Sequence, residues 1–278
     1  MTMTPDLNDS TAAKIQPTIP ATAPNDNQLI WQNLRRQVKA LSLDLWGTIL
    51  DDKQSPADTI LYSEQRQNFL REELQNLGHQ FSPEQMRAAY KHTWEHFDDL
   101  WAKQIAFGAE EGLREMLRHL DAELPPESFQ RAQRFFEEAI QNPQPLDGAI
   151  EAVQMLAEKY PLALISDTAW TPGRVLRQIF AHDKILDCFR VLIFSGDTGV
   201  TKPHPKMFQL ALNGLGVQPH DCLHIGDLQH TDIAGAKAVG MHTAWIRRPV
   251  YAGKEQQDYG PNVIVASMKE VAERLLLF

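Results

Sequence analysis

Two cysteines, Cys188 and Cys222, are all that this 278-residue chain contains, and neither belongs to a CxxC pair. That argues against a disulfide framework or a cysteine-rich zinc site, and it fits two buried thiols in a reducing compartment. No apolar run is long enough to span a bilayer, so no membrane association is expected. Basic residues are in the minority, 27 Lys and Arg against 36 Asp and Glu, for a formal net charge of -9. Broad binding to a nucleic-acid backbone is therefore not expected. A small anionic substrate is still compatible, because a local Lys or a metal reverses the field inside a cleft. The opening residues, Met1-Thr2-Met3-Thr4-Pro5-Asp6, lack the basic start and apolar core of a secretory signal, and a cytoplasmic location is the expectation. Composition gives no indication of oligomeric state.

With 43% hydrophobic and 23% charged residues, the composition is that of an ordinary globular chain. Residues 1–25, rich in Thr, Pro, Asn, Asp and Ala, read as a disordered tail. Leu29, Ile30, Trp31, Leu34 and Val38 then make a short apolar face expected to pack on the chain's own core. Ala40 to Leu43 is a short apolar strand ending at Asp44-Leu45-Trp46-Gly47-Thr48.

From Asp58 to Gln141 the periodicity is helical. Leu61, Phe69, Leu70, Leu74 and Leu77 form one seam closed by Gly78, and Ser82-Pro83-Glu84-Gln85 is a capping box opening a second helix. Glu110–Leu120 and Glu127–Ile140 read as two more helices. After Gly148, strands at Leu162–Ile165, Val191–Phe194, Cys222–Ile225 and Thr243–Ile246 alternate with helices. This rhythm predicts an α/β, Rossmann-like parallel sheet with an inserted all-helical cap. The expected boundaries are a core of residues 26–54 and 146–278 and a cap of residues 55–145.

Reactive groups follow the predicted strands: Asp44 to Thr48, Ser166-Asp167-Thr168, Thr201-Lys202-Pro203-His204-Pro205, and Gly226-Asp227 with Asp232 five residues on. In a parallel sheet all four segments converge on one edge, where such folds bind ligands. Together they suit phosphoryl transfer. Asp44 and Asp227 offer hard oxygen ligands for Mg2+, which offsets the repulsion between a carboxylate nucleophile and a phosphate. The Ser166 hydroxyl and nearby backbone N–H groups suit phosphate oxygens, and Lys202 neutralises charge on both partners.

These motifs resemble the haloacid dehalogenase superfamily, over about residues 39–250. The resemblance implies that Asp44 is a nucleophile forming an aspartyl intermediate and that Lys202 stabilises it. It also implies that Ser166 binds the transferring group, with Thr48 and Asp167 beside it on the substrate side. Asp227 would anchor Mg2+ with help from Asp232 and from the backbone carbonyl of Trp46. A small phosphorylated metabolite is the implied substrate.

One position departs from the family's phosphatases. They carry a second Asp two residues after the nucleophile, to protonate the leaving group and activate water, whereas this chain has Trp46. Indole does neither, and general acid–base catalysis is worth about 10²–10⁴-fold, roughly 3–5 kcal/mol. His230, His204, His92 and His96 are candidate substitutes. Dehalogenases of the family carry an aromatic residue there and need no such acid, so a 2-haloacid dehalogenase is one alternative. An impaired phosphate-binding or regulatory protein is another. His92 and His96, four apart, have a spacing that can bind metal, but the Glu placement of a zinc-protease motif is missing and no metal is expected there; Trp94 and Trp101 are expected in the core of the cap.

Overall fold

The structure is a computed structural model that describes residues 24–51, 56–139, 143–248 and 257–276. Most of the expected tail, Asp52 in the hinge, and the helix ends at Ile140, Gln141 and Leu277 lie outside those residues. Six parallel strands form one sheet: β1 Ala40–Leu43, β2 Leu162–Ser166, β3 Phe189–Phe194, β4 Cys222–Gly226, β5 His242–Ile246 and β6 Val263–Val265. Their order is β3-β2-β1-β4-β5-β6. All residues of β1, β2 and β4 are buried, as expected for short apolar strands covered on both faces.

The helices in chain order are α1 Pro24–Gln37, α2 Pro56–Asn76, α3 Pro83–Ala102, α4 Ala109–His119, α5 Pro126–Glu138, α6 Ala149–Ala157, α7 Gly173–His182, α8 Ser195–Thr198, α9 Pro205–Leu215, α10 Ala234–Ala238 and α11 Met268–Leu276. Trp31 and Leu34 of α1, with Val38 just beyond it, join the core on one sheet face with residues of α6, α7 and α11. Leu29 is exposed instead. On the other face Phe208, Ala211 and Leu212 of α9 pack with Ala236 of α10 over Ala163 and Ile165. Each fully buried Leu, Ile, Val, Met or Phe side chain among them contributes about 1.5–3 kcal/mol relative to exposure. Among the described residues no helix is long and apolar enough to cross a membrane.

Helices α2 to α5 lie between β1 and β2 and have their own apolar cluster, centred on Leu70, Leu74, Met86, Leu113, Met116 and Phe136. The capping box at Ser82 forms as expected, with reciprocal bonds between Ser82 and Gln85. Leu61 and Leu77 of the predicted seam are exposed, whereas Leu70 and Leu74 are buried. The chain leaves and returns side by side: Leu146 N–H donates to Ile49 O (2.9 Å) and Asp51 N–H to Gln144 O (2.8 Å). Further contacts tie the helical segment to the sheet. Ala106 N–H donates to Gly199 O (3.1 Å), and Thr201 N–H to Gln104 O (3.2 Å). Trp170, from the loop after β2, enters the helical cluster and stacks on Tyr90 at 5.6 Å.

Candidate active site

Strand order reverses between β1 and β4, which pair directly (Leu43 opposite Ile225). Such a switch point leaves a crevice beyond the strand ends. Asp44 follows β1 and Asp227 follows β4, so both carboxylates stand there, and both are buried. Two glycines make the seating possible. A Cβ on Gly47, whose φ is +76, would fall 2.2 Å from Asp227 Oδ2. One on Gly226 would fall 2.4 Å from Asp232 Cγ. Neither position admits another residue without displacing a carboxylate.

Lys202 is the hub. Its Nζ donates to Asp44 Oδ1 at 2.5 Å and to Asp232 Oδ1 at 2.7 Å. Its backbone N–H donates to Asp167 Oδ1 at 2.9 Å. Thr48 Oγ1 donates to the other oxygen of Asp44 at 3.0 Å, using the i,i+4 geometry of the turn. Asp232 does not cap a helix. It lies within a π-helical turn, Gln229–Ile233, and its Oδ2 accepts the Leu228 N–H at 3.0 Å. Ser166 is buried at the end of β2, with its hydroxyl directed to the Asp167 carbonyl at 3.2 Å. Trp46 is half-buried against the sheet core.

Three carboxylates face the buried Lys202, and Asp227 stands within 4.8 Å of two of them, so the acids outnumber the Lys. Burial pushes Asp44 up to about 7, with Lys202 opposing and Asp232 reinforcing the shift. Burial also raises Asp167. For Asp232 burial acts in the same sense, but Lys202 and the His224 hydrogen bond outweigh it and hold the carboxyl well below its usual range. Burial alone would lower Lys202, yet Asp232, Asp44 and Asp167 keep it firmly protonated. Asp44, Asp227 and Asp232 each offer an oxygen, and these three oxygens lie within 4.8 Å of one another. An all-oxygen, net-negative, buried set of this kind fits a hard divalent cation.

The four histidines weighed as substitute acids separate cleanly. His204 accepts the Lys206 N–H at the start of α9. His92 and His96 face Glu115 and Glu111 on α4, each at 2.9 Å. His230 alone among the four borders the carboxylates. It lies two residues before Asp232 in the same π-helical turn, and its ring meets Trp101 edge-on at 5.2 Å. Burial lowers its pKa.

Trp101 is the main departure from sequence expectation. Trp94 packs in the helical cluster, but Trp101 reaches back to the sheet, and its indole N–H donates to Asp167 Oδ2 at 3.4 Å. His224 was also missed. It is fully buried on β4 between Ser42 (2.8 Å) and Asp232 (3.5 Å). A polar residue inside an otherwise apolar strand was the available signal. Arg248, bonded to Asp51 at 2.8 Å, lies close to Gly47 and completes the list.

Known proteins with these features converge on one family. Residues 38–240 match the family model described as haloacid dehalogenase-like hydrolase. Glyceraldehyde 3-phosphate phosphatase of Pyrococcus furiosus is 35% identical over 131 residues, 44% of this chain and 51% of its own length. Phosphoserine phosphatase of Thermus thermophilus is 29% identical over 147 residues, 53% of this chain and 57% of its own length. The chain thus spans about half the length of these curated relatives. In fold it is similar to a 2-haloacid dehalogenase from Pseudomonas syringae, with a TM-score of 0.63, 24% identity, and coverage of 86% of this chain and 98% of that one. With the matched segment running from before β1 through α10, the chain belongs to the haloacid dehalogenase-like hydrolases.

Proposed function

We propose that the protein hydrolyses a small phosphate ester or acyl phosphate with Mg2+, through an aspartyl-phosphate on Asp44, and that helices α2–α5 act as its cap. The observation that carries this is the approach of Asp44, Asp227 and Asp232 oxygens to within 4.8 Å around Lys202. Phosphatase relatives support it. Asp44, Asp227, Asp232 and the Trp46 carbonyl would hold Mg2+, which supplies charge neutralisation between nucleophile and phosphate when bound.

Asp44 attacks phosphorus, the bond from phosphorus to the leaving oxygen breaks, and Lys202 offsets charge on the carboxylate and on the transferring group. The Ser166 hydroxyl and Thr48 stand on the substrate side. Water then attacks phosphorus, releasing phosphate and restoring the Asp44 carboxylate. The departing alkoxide needs a proton, and Trp46 has none to give. His230 is the group we assign to that proton and to the attacking water. An acyl phosphate, whose leaving carboxylate needs no proton, is accordingly the easier substrate.

Trp46 also supports a second reading, a 2-haloacid dehalogenase, in which halide departs unprotonated. The clustered Asp227 and Asp232 favour the phosphatase. The test is hydrolysis of acetyl phosphate and p-nitrophenyl phosphate with Mg2+ and with EDTA. Turnover should vanish in EDTA and in Asp44→Asn. Chloride release from 2-chloropropionate in EDTA, with no phosphate release, would overturn the proposal. His230→Ala should slow simple alkyl phosphates about 10²-fold or more while sparing acetyl phosphate. Equal effects on both would remove His230 from the role.

A further inference from the structure

A second group of metal-ligating side chains stands apart from the sheet edge, in the helical insertion. Helices α3 and α4 form an antiparallel hairpin closed by residues 103–108. His92 and His96 lie one turn apart on α3. Glu111, Glu115 and His119 lie at successive turns of α4. The i,i+4 spacing puts each set on one helix face, and the two faces meet. His96 Nε2 is 2.9 Å from Glu111 Oε1, and His92 Nε2 is 2.9 Å from Glu115 Oε1. One donor atom each from His96, Glu111 and Glu115 lie within 4.8 Å of one another. The His92 ring packs against His119 at 4.9 Å, and its other nitrogen faces Glu95 at 3.6 Å.

Two ordinary interhelical ion pairs would explain the His–Glu contacts, but not the whole arrangement. An isolated exposed pair gains little from burial, yet Glu115 is 5% exposed. Glu111 and Glu115 also bring two carboxylates close together, with Arg118 as the basic partner of Glu115. When the imidazoles are neutral, they are lone-pair donors rather than counter-charges. The His96 imidazole and two carboxylates then converge, with the His92 ring against Glu115 beside them, a mixed nitrogen–oxygen set suited to borderline transition metals rather than to Mg2+.

We propose that His92, His96, Glu111 and Glu115 form a binding site for a divalent transition metal of the Zn2+ and Co2+ class. The site is separate from the oxygen-only set at Asp44 and independent of which reaction that set performs. Bound metal cross-links α3 to α4. It thereby fixes the helix whose last turn carries Trp101 against Asp167 and His230.

The test uses full-length, untagged protein stripped with chelator, then titrated with Co2+ in excess Mg2+, so that the hard site is occupied by its preferred ion. One equivalent of Co2+ should give a visible ligand-field absorption that Zn2+ abolishes, and the unfolding temperature should rise. The band should be lost in His92→Ala/His96→Ala and in Glu111→Gln, and kept in Asp227→Asn. The single change at the half-exposed Glu111 guards against misfolding of the double variant. No band, or an undiminished band in both variants, overturns the site, and loss confined to Asp227→Asn assigns the Co2+ to the sheet edge instead.

Discussion

The sheet edge and the helical insertion each bury a cation, and they do so in opposite ways. Lys202 sits between Asp44 and Asp232 with Asp167 on its backbone, charges meeting charges among buried side chains. Arg66 of α2 is equally buried, but its guanidinium rests 5.2 Å from the Trp170 ring centre and donates to the Phe136 carbonyl at 3.1 Å. A longer bond reaches Tyr90 Oη at 3.4 Å, and its Nη2 has no hydrogen-bond partner. No carboxylate pairs with it among the described residues. The first arrangement gathers more acidic than basic groups, in keeping with the proposed Mg2+ and phosphate site. The second serves packing, with the charge carried along on an amphipathic stem. A buried cation is thus informative through the sign and surplus of its partners, not through burial alone.

The largest effect expected from breaking this contrast is at Lys202. Lys202→Met leaves Asp232 buried without its counter-charge, and should destabilise the metal-free protein by about 3–5 kcal/mol in urea. Turnover should fall at least about 10³-fold. Trp170→Ala should cost about 3–5 kcal/mol, because it empties a space shared by Tyr90, Trp94, Phe107 and Phe136. That loss would show that the insertion is anchored through its apolar cluster. Arg66→Met is the counterpart of the Lys202 change and should move stability by no more than about 1–2 kcal/mol in either direction. A loss as large as that at Lys202 would erase the distinction.

The smallest and sharpest effect is in pH dependence. Asp44 is raised from 3.8 to about 7 on folding, so the folded chain holds an extra proton across that window. Metal-free stability should therefore fall as pH rises through it. His224 and His230, lowered by burial, act in the opposite sense below about pH 6.5. Comparing wild type with Asp44→Asn isolates the carboxyl: in EDTA the variant should melt higher at pH 8 and converge with wild type near pH 4. Excess Mg2+ should reduce the gap at pH 8.

That the candidate residues would meet at one sheet edge was legible because the parts are local. Asp44, Ser166 and Asp227 each stand at or directly beyond the end of an apolar strand, and a parallel sheet brings strand ends together without further information. Lys202 and Asp232 were legible through their spacing from those strands. Trp101, Trp170 and His224 were not. Their contacts cross from the insertion to the sheet or between strands, with Trp101 and Asp167 separated by 66 positions, and no short periodicity encodes such a pairing. Strand β6 escaped because Val263–Val265 is only three residues, too short to show alternation. The π-helical turn at Gln229–Ile233 escaped because helical spacing alone does not distinguish it from the α-helix that follows.

The proposed reaction requires that Asp44 become phosphorylated. The direct measurement is to mix the Mg2+-loaded enzyme with acetyl phosphate, quench in acid within a turnover, and map phosphoryl adducts by peptide mass spectrometry. A phosphoryl group on the peptide carrying Asp44, removed by hydroxylamine and absent in Asp44→Asn, is the predicted result. Phosphate release with no adduct at Asp44, and with Asp44→Asn still turning over, would contradict it.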